Sequence, residues 1–291
     1  MFHVKHFYLT DEKNFLIYLS GILIIFIIYM SHHTKAKIFS VVNQKGGVGK
    51  TTTAINLATA FAAIKKKILL VDLDPQGNAS TGFGISQSQR QKTIYEVLIN
   101  ECSAKNAVIP TRIPNLNIIT STVDLSACEI ELAPVQDREF ILKEALKELI
   151  HDYDCILIDC PPSLGLLTVN ALTASDSILI PMQCEFFALE GLSHLLTSLD
   201  LVKENLNHHL KISGIILTMH DRRNKLTEQV EIDVRSFLKD KVFKHSIPRN
   251  VKLSEAPSHG LPGIIYDFKC PGSTAYIKLA KEILSREKLL K

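Results

Sequence analysis

The sequence predicts an α/β fold: a doubly wound, mostly parallel sheet carrying a phosphate loop. Three observations predict it. Near-continuous apolar runs at 38–43, 67–72, 116–120, 155–159, 177–181, 213–218 and 242–247 read as strands buried on both faces. Helical apolar periods lie between several of these runs, as alternating strand–helix units require. The segment VVNQKGGVGKTTTAINLA, residues 41–58, places a glycine-rich loop between the first strand and the first helix, the order in which a phosphate cradle is built.

Taken along the chain, each helix shows one apolar face. Ala54, Ile55, Leu57, Ala58, Phe61 and Ala62 mark the first, directly after the loop. Phe140, Leu142, Leu146, Leu149 and Ile150 mark a second, and Leu192, Leu195, Leu196, Leu199 and Val202 a third. Near the end, Tyr276, Leu279, Ala280 and Ile283 give the basic tail a face that fits the sheet. The polar stretch GISQSQRQK, residues 84–92, is expected to be the loosest segment. There is no internal repeat.

Bulk composition narrows the function little. The 291 residues are 46% hydrophobic and 22% charged, ordinary for a globular protein, and a net charge of +3 names no partner. Six cysteines, none in C-x-x-C spacing, read as reduced, buried thiols. No cysteine motif supports an iron–sulfur cluster, which argues against an iron-protein-like reductase.

The chemistry lies in three strand-end motifs. The phosphate-loop rule asks for G-x-x-x-x-G-K-[ST]. Gly49, Lys50 and Thr51 meet its second half, but Gln44 stands at the first glycine and a second lysine, Lys45, follows it. Backbone N–H groups of Gly46, Gly47, Val48 and Gly49 can converge on phosphate oxygens, helped by the N-terminal dipole of the following helix. Lys50 is expected to bridge the β- and γ-phosphates, Thr51 to ligate Mg²⁺ and Thr52 to reach the α-phosphate. In LLVDLDPQGNAS, residues 69–80, Asp72 and Asp74 fall at a strand's C-terminal end, the side that faces the ligand crevice. Asp74 is expected to position the attacking water. Asp72 alternates to the other face and serves either the metal shell or the fold. In CILIDCPPSLG, residues 155–165, an apolar run ends in Asp159, the Walker B pattern for holding Mg²⁺, with Pro161 and Pro162 stiffening the loop beyond.

Together KGGVGKTT, VDLDPQGNAS, IDCPPSLG, PMQCEFFALEGL and IPRNVKLSEAPSHGLP resemble the ParA/Soj family of chromosome- and plasmid-partitioning ATPases, from about Lys37 to the C-terminus. The resemblance implies a cytoplasmic, nucleoid-associated ATP hydrolase that closes as a homodimer on ATP and Mg²⁺. In that dimer Lys45 crosses to the partner's phosphates, the task an arginine finger performs elsewhere. It also implies Asp74 as the water-positioning group, Asp159 as the Walker B acid, and Pro248 and Asn250 as lining for adenine. A ParB-like centromere-binding protein is the implied partner that stimulates hydrolysis.

Non-specific double-stranded DNA is the second implied partner. Residues 207–255 hold ten Lys and Arg against six Asp and Glu. Arg222, Arg223 and Lys225 follow one strand, and Arg249 and Lys252 the next run. The family's DNA-binding basic positions match Arg223 and Lys252; lysine at 252 keeps the charge but not the arginine fork. No helix-turn-helix argues for sequence readout. The alternative is a MinD-like positioning ATPase on a membrane surface, using the amphipathic tail or the apolar run 15–30 as anchor.

Residues 1–35 are an extension outside the resemblance; the ATPase domain is expected over 36–291. The run FLIYLSGILIIFIIYM, at 15–30, falls short of the roughly 20 apolar residues of a membrane span. MFHVKH can be encoded by ATG TTT CAC GTG AAA CAY, which contains the self-complementary word TGTTTCACGTGAAACA, similar to the family's centromere site. One expectation is therefore that 1–29 translate a DNA element upstream of a true start at Met30; a real anchor is the other. His32 and His33 lack an evident third ligand and read as solvated.

Overall fold

The computed structural model describes residues 35–221 and 223–290. The apolar run, Met30, His32, His33 and Arg222 lie outside them. Seven strands form one sheet: β1 (Lys37–Val41), β2 (Ile68–Asp72), β3 (Val108–Pro110), β4 (Leu116–Ile119), β5 (Cys155–Asp159), β6 (Ser177–Gln183) and β7 (Lys211–Thr218). Their order is β3-β4-β2-β5-β1-β6-β7, parallel throughout except for the β3–β4 edge pair. The register sets Asp72 beside Asp159 and Val41 beside Asp159. The first strand and both acidic strand ends thus finish at one level, facing one crevice.

Period-two alternation explains the two cores. In β5, Ile156 and Ile158 join one apolar cluster, and Cys155 and Leu157 the other. In β2, Leu69 and Val71 face the first and Ile68 and Leu70 the second. Helices cover both faces, so the central strands β2 and β5 are buried along their whole length. The first cluster receives α3 (Leu166–Ala174), α4 (Ala188–Asn205) and α5 (Lys225–Leu238) through Leu172, Leu195 and Val234. The second receives α1 (Lys50–Ala63) and the final helix, α7 (Pro271–Arg286). Two short helices matter later: α2 (Asn78–Gly82) and α6 (Val251–Glu255).

Packing of α1 goes beyond its predicted face. All but a few of its residues are buried, because α7 lies over the side the sheet leaves uncovered. Thr53 Oγ1 and Tyr276 Oη, both buried, hydrogen-bond at 3.0 Å across that contact. Tyr276, Leu279, Ala280 and Ile283 are all buried, so the tail's apolar face is spent inside the core. No described helix is long and apolar enough to cross a membrane.

Two expectations are corrected, and one strand is added. The run 242–247 is not a strand. Phe243 N–H donates to Ile215 O and Ile247 N–H to Leu217 O, but between them the Glu282 carboxylate takes the N–H groups of Lys244 and His245. That side chain pulls the segment off the sheet edge before a ladder can form. β3 escaped notice because it is three residues long and ends in Pro110, which suits only an edge. The polar stretch 84–92 is not loose either: Arg90 is 7% exposed and anchors it.

The described cysteines are free and, except for half-buried Cys102, buried. Burial pushes the Cys128 and Cys155 thiols up to about 12, which keeps them protonated and inert.

Candidate active site

The phosphate loop runs from the end of β1 into α1. Gly47 and Gly49 take φ of +73° and +85°, backbone that only glycine adopts freely. A Cβ built on Gly46 or Gly47 would meet nothing within 4 Å. The two therefore face open space above the helix N-terminus, the place a phosphate chain needs. The loop is braced from below. Thr218 Oγ1, at the end of β7, hydrogen-bonds to Val48 O at 2.8 Å, and Gln183 Nε2 donates to Gly47 O at 3.2 Å. Asn43 Nδ2 holds Pro181 O while its Oδ1 accepts the Lys45 N–H.

The two lysines behave differently. Lys50 is 7% exposed, and its Nζ donates to Lys45 O at 3.2 Å. Burial pushes its ammonium below the ordinary range, against the pull of Asp159 and Asp74. Lys45 projects outward, half exposed, and its Nζ pairs with the Glu185 carboxylate after β6.

Of the three acidic side chains at these strand ends, Asp159 and Asp74 act on Lys50. Asp72 is spent on the fold: its Oδ2 accepts the Ser80 N–H at 2.8 Å and the Ser80 hydroxyl at 2.7 Å. Burial pushes its carboxyl up to about 6. Asp74 is nearly buried and accepts only the Gln76 N–H at Oδ1 among the described residues. Asp159 is wholly buried, and neither carboxylate oxygen has a hydrogen-bond partner among the described residues. Burial, with Asp72 beside it, raises its carboxyl well above the ordinary range. An orphaned buried carboxylate is costly unless a cation completes it. No cluster of three His, Cys, Asp or Glu forms a ready-made cage among the described residues. The donor set thus fits Mg²⁺, which takes one or two protein oxygens and fills its shell with phosphate and water.

Beside the loop, a cavity of about 80 Å³ is lined by Thr52, Met219, Pro248, Asn250, Leu253 and Tyr276. Asn250 Oδ1 is buried with no hydrogen-bond partner among the described residues. Pro248 and Asn250, far from the loop in sequence, therefore stand next to it in space. Arg223 lines a separate 870 Å³ cavity with Lys244, Arg249 and Lys278, but Lys252 does not. Arg223 makes a two-pronged pair with Asp221, both contacts at 2.9 Å, and Lys252 pairs with Glu255 at 2.9 Å.

Comparison with known proteins decides the family. A family model described as an AAA domain matches residues 36–212. The chain is 53% identical to the chromosome partitioning protein ParA of Caulobacter vibrioides, covering 87% of this chain and 95% of that one. The chain belongs to the ParA/Soj family of partitioning ATPases. It is also 52% identical to the sporulation initiation inhibitor protein Soj of Bacillus subtilis, covering 85% and 98% of the two chains. A solved cobyrinic acid a,c-diamide synthase from Mycobacterium smegmatis, with bound ATP analog and magnesium, superposes at a TM-score of 0.77 with 33% identity, covering 87% and 96%. MinD of Pyrococcus horikoshii, complexed with Mg-ADP, gives 0.70 at 27%, covering 85% and 96%. The ParA/Soj-type site here is thus a P-loop ATPase site with its phosphate cradle preformed.

Sequence reasoning missed four contributors. Glu185 sits inside a quoted motif, but its tie to Lys45 spans 140 positions. Lys244 and Lys278 come from a loop and a helix with no common motif, and Arg90 lay in the stretch expected to be loose.

Proposed function

We propose that this chain is an ATP-driven partitioning switch. Two copies close face to face on two Mg·ATP, the closed dimer holds nucleoid DNA without sequence preference, and a ParB-like partner stimulates hydrolysis to release it. The observation that carries this reading is the outward Lys45. A lysine half exposed beside its own phosphate loop, its ammonium paired among the described residues with a surface carboxylate alone, is placed to serve a facing subunit. Exposed pairs of this kind contribute about 0–1 kcal/mol, so a facing triphosphate can displace Glu185.

In the closed state Lys50 and the loop N–H groups hold the phosphates, Pro248 and Asn250 hold the base, and Asp74 orients water toward the γ-phosphate. Thr51 and Asp159 would hold Mg²⁺, which would supply positive charge to the phosphate oxygens. DNA contact requires Arg223 and Lys252 to exchange their carboxylate partners for phosphates. Hydrolysis moves DNA only if affinity differs between the two nucleotide states. The membrane-surface alternative is disfavoured for the tail, whose apolar side is buried.

Sedimentation of the parent and Lys45→Ala with ATP, ADP and no nucleotide tests the reading. The parent should dimerise with ATP alone, and Lys45→Ala should stay monomeric while still binding nucleotide. ATP-dependent dimers of Lys45→Ala at parental strength would overturn it.

A further inference from the structure

Arg90 is an unusual buried cation. Its guanidinium makes no ion pair among the described residues; it is spent on carbonyls and a hydroxyl. Nε and NH2 donate to Ile85 O at 3.2 and 2.8 Å, and NH2 also donates to Thr81 Oγ1 at 2.8 Å. NH1 donates to Gly77 O at 3.3 Å and to Ser121 O at 3.1 Å. Burying an unpaired charge is unfavourable, so the arrangement calls for a reason.

Its partners supply one. Gly77 and Thr81 belong to the loop and short helix α2 that follow Asp74, whereas Ser121 follows β4. Gly77 N–H in turn donates to Asp74 O at 2.9 Å. On the other side, Ser121 N–H donates to Ser80 Oγ, whose hydroxyl donates to Asp72. The guanidinium therefore closes a ring that runs Asp72, Ser80, Ser121, Arg90, Gly77 and back to Asp74. Fit around it is close: a Cβ on Gly77 would lie 2.5 Å from Arg90 NH1 and 2.8 Å from Ser121 O. Gly77 itself has φ +60°, so both backbone and space at this turn are set around the guanidinium.

We propose that Arg90 is a positioning residue for hydrolysis: its planar fork pins the loop after β2 to the end of β4 and so fixes where the Asp74 carboxylate stands. This rests on the reading of Asp74 as the water-positioning group. Among the described residues the Arg90 guanidinium donates only to Ile85, Gly77, Thr81 and Ser121. It acts through Gly77 and the Asp74 backbone, and a small misplacement of a catalytic group is enough to slow a reaction greatly. A lysine keeps the charge but cannot span Ile85, Gly77, Thr81 and Ser121 together.

The test is single-turnover ATP hydrolysis beside equilibrium binding of a fluorescent ATP analogue, for the parent, Arg90→Lys, Thr81→Val and Asp74→Ala, each with a thermal melt. Arg90→Lys should lose about 10- to 100-fold in hydrolysis while nucleotide affinity moves less than about twofold. Thr81→Val removes one prong without stranding a charge and should show the same split more weakly, which keeps the test decisive if Arg90→Lys melts early. Parental hydrolysis by Arg90→Lys overturns the proposal. So does an equal fall in affinity and turnover, which would mark Arg90 as structural only. An active Asp74→Ala would instead overturn the reading of the water-positioning carboxylate; an inactive Asp74→Ala beside an active Arg90→Lys overturns the clamp alone.

Discussion

Lys45 and Glu185 are joined across the mouth of the phosphate loop, so the lysine that distinguishes this loop is held on the surface of its own subunit. On the proposed reading, the pair competes with dimer closure. Glu185→Gln should release Lys45 and lower the ATP concentration for half-maximal dimerisation by up to about fivefold, the equivalent of about 1 kcal/mol. Sedimentation across an ATP titration measures the shift.

On the proposed reading, Arg223 and Lys252 must each leave a carboxylate to meet DNA. Arg223→Ala combined with Lys252→Ala should leave ATP hydrolysis without DNA unchanged and weaken DNA retention. The slope of log affinity against log salt should become shallower by about two, one unit for each lost phosphate contact. An unchanged slope in filter binding across a salt series would place the DNA surface elsewhere.

Asn250 Oδ1 is a buried acceptor with no partner of its own among the described residues. An adenine amino group can donate to it; the guanine oxygen at the same ring position cannot. Asn250→Ala should therefore narrow the preference for ATP over GTP by about tenfold, as loss of one buried polar contact implies. Competition between the two nucleotides for a fluorescent analogue reads it directly.

Asp72 and Asp159 give the nucleotide-free protein a pH signature. Both carboxyls are raised, Asp72 to about 6, so between pH 3.8 and 6 the folded state binds more protons than the unfolded one. The stability that Asp72 contributes is present below the ordinary carboxylate range and is lost as pH rises through about 6, and Asp159 contributes in the same direction. Thermal melts without Mg²⁺ should show the melting temperature falling as pH is raised from 5 to 7. Saturating Mg·ADP should flatten that dependence by placing a cation against Asp159, and removing the metal with EDTA should restore it.

The local signals were readable because they are local. Strand runs, the Gly47 to Thr51 loop and the acidic strand ends each depend on neighbours within a few positions, where period and turn chemistry speak directly. β1, β2, β4, β5, β6 and β7 lie where their apolar runs placed them, give or take a few end residues. The run 242–247 misled because its apolar residues do bury, as a strand's would. Only Glu282, arriving from the last helix, takes the N–H groups that a ladder needed. Arg90 misled for the opposite reason: a polar composition usually means solvent, and nothing within residues 84–92 announces that carbonyls from Gly77 and Ser121 await the guanidinium.

By itself, then, the amino-acid order determined the parallel sheet, the phosphate cradle and the three carboxylates at its rim, since covalent spacing and hydrophobic period suffice for those. Tertiary structure alone decided that Asn250 sits beside α1, that Glu185 holds Lys45, and that Asp72 is spent on Ser80 while Asp159 has no hydrogen-bond partner among the described residues. Each of those depends on which groups distant in sequence arrive first at a buried polar atom, and only the folded chain settles that competition.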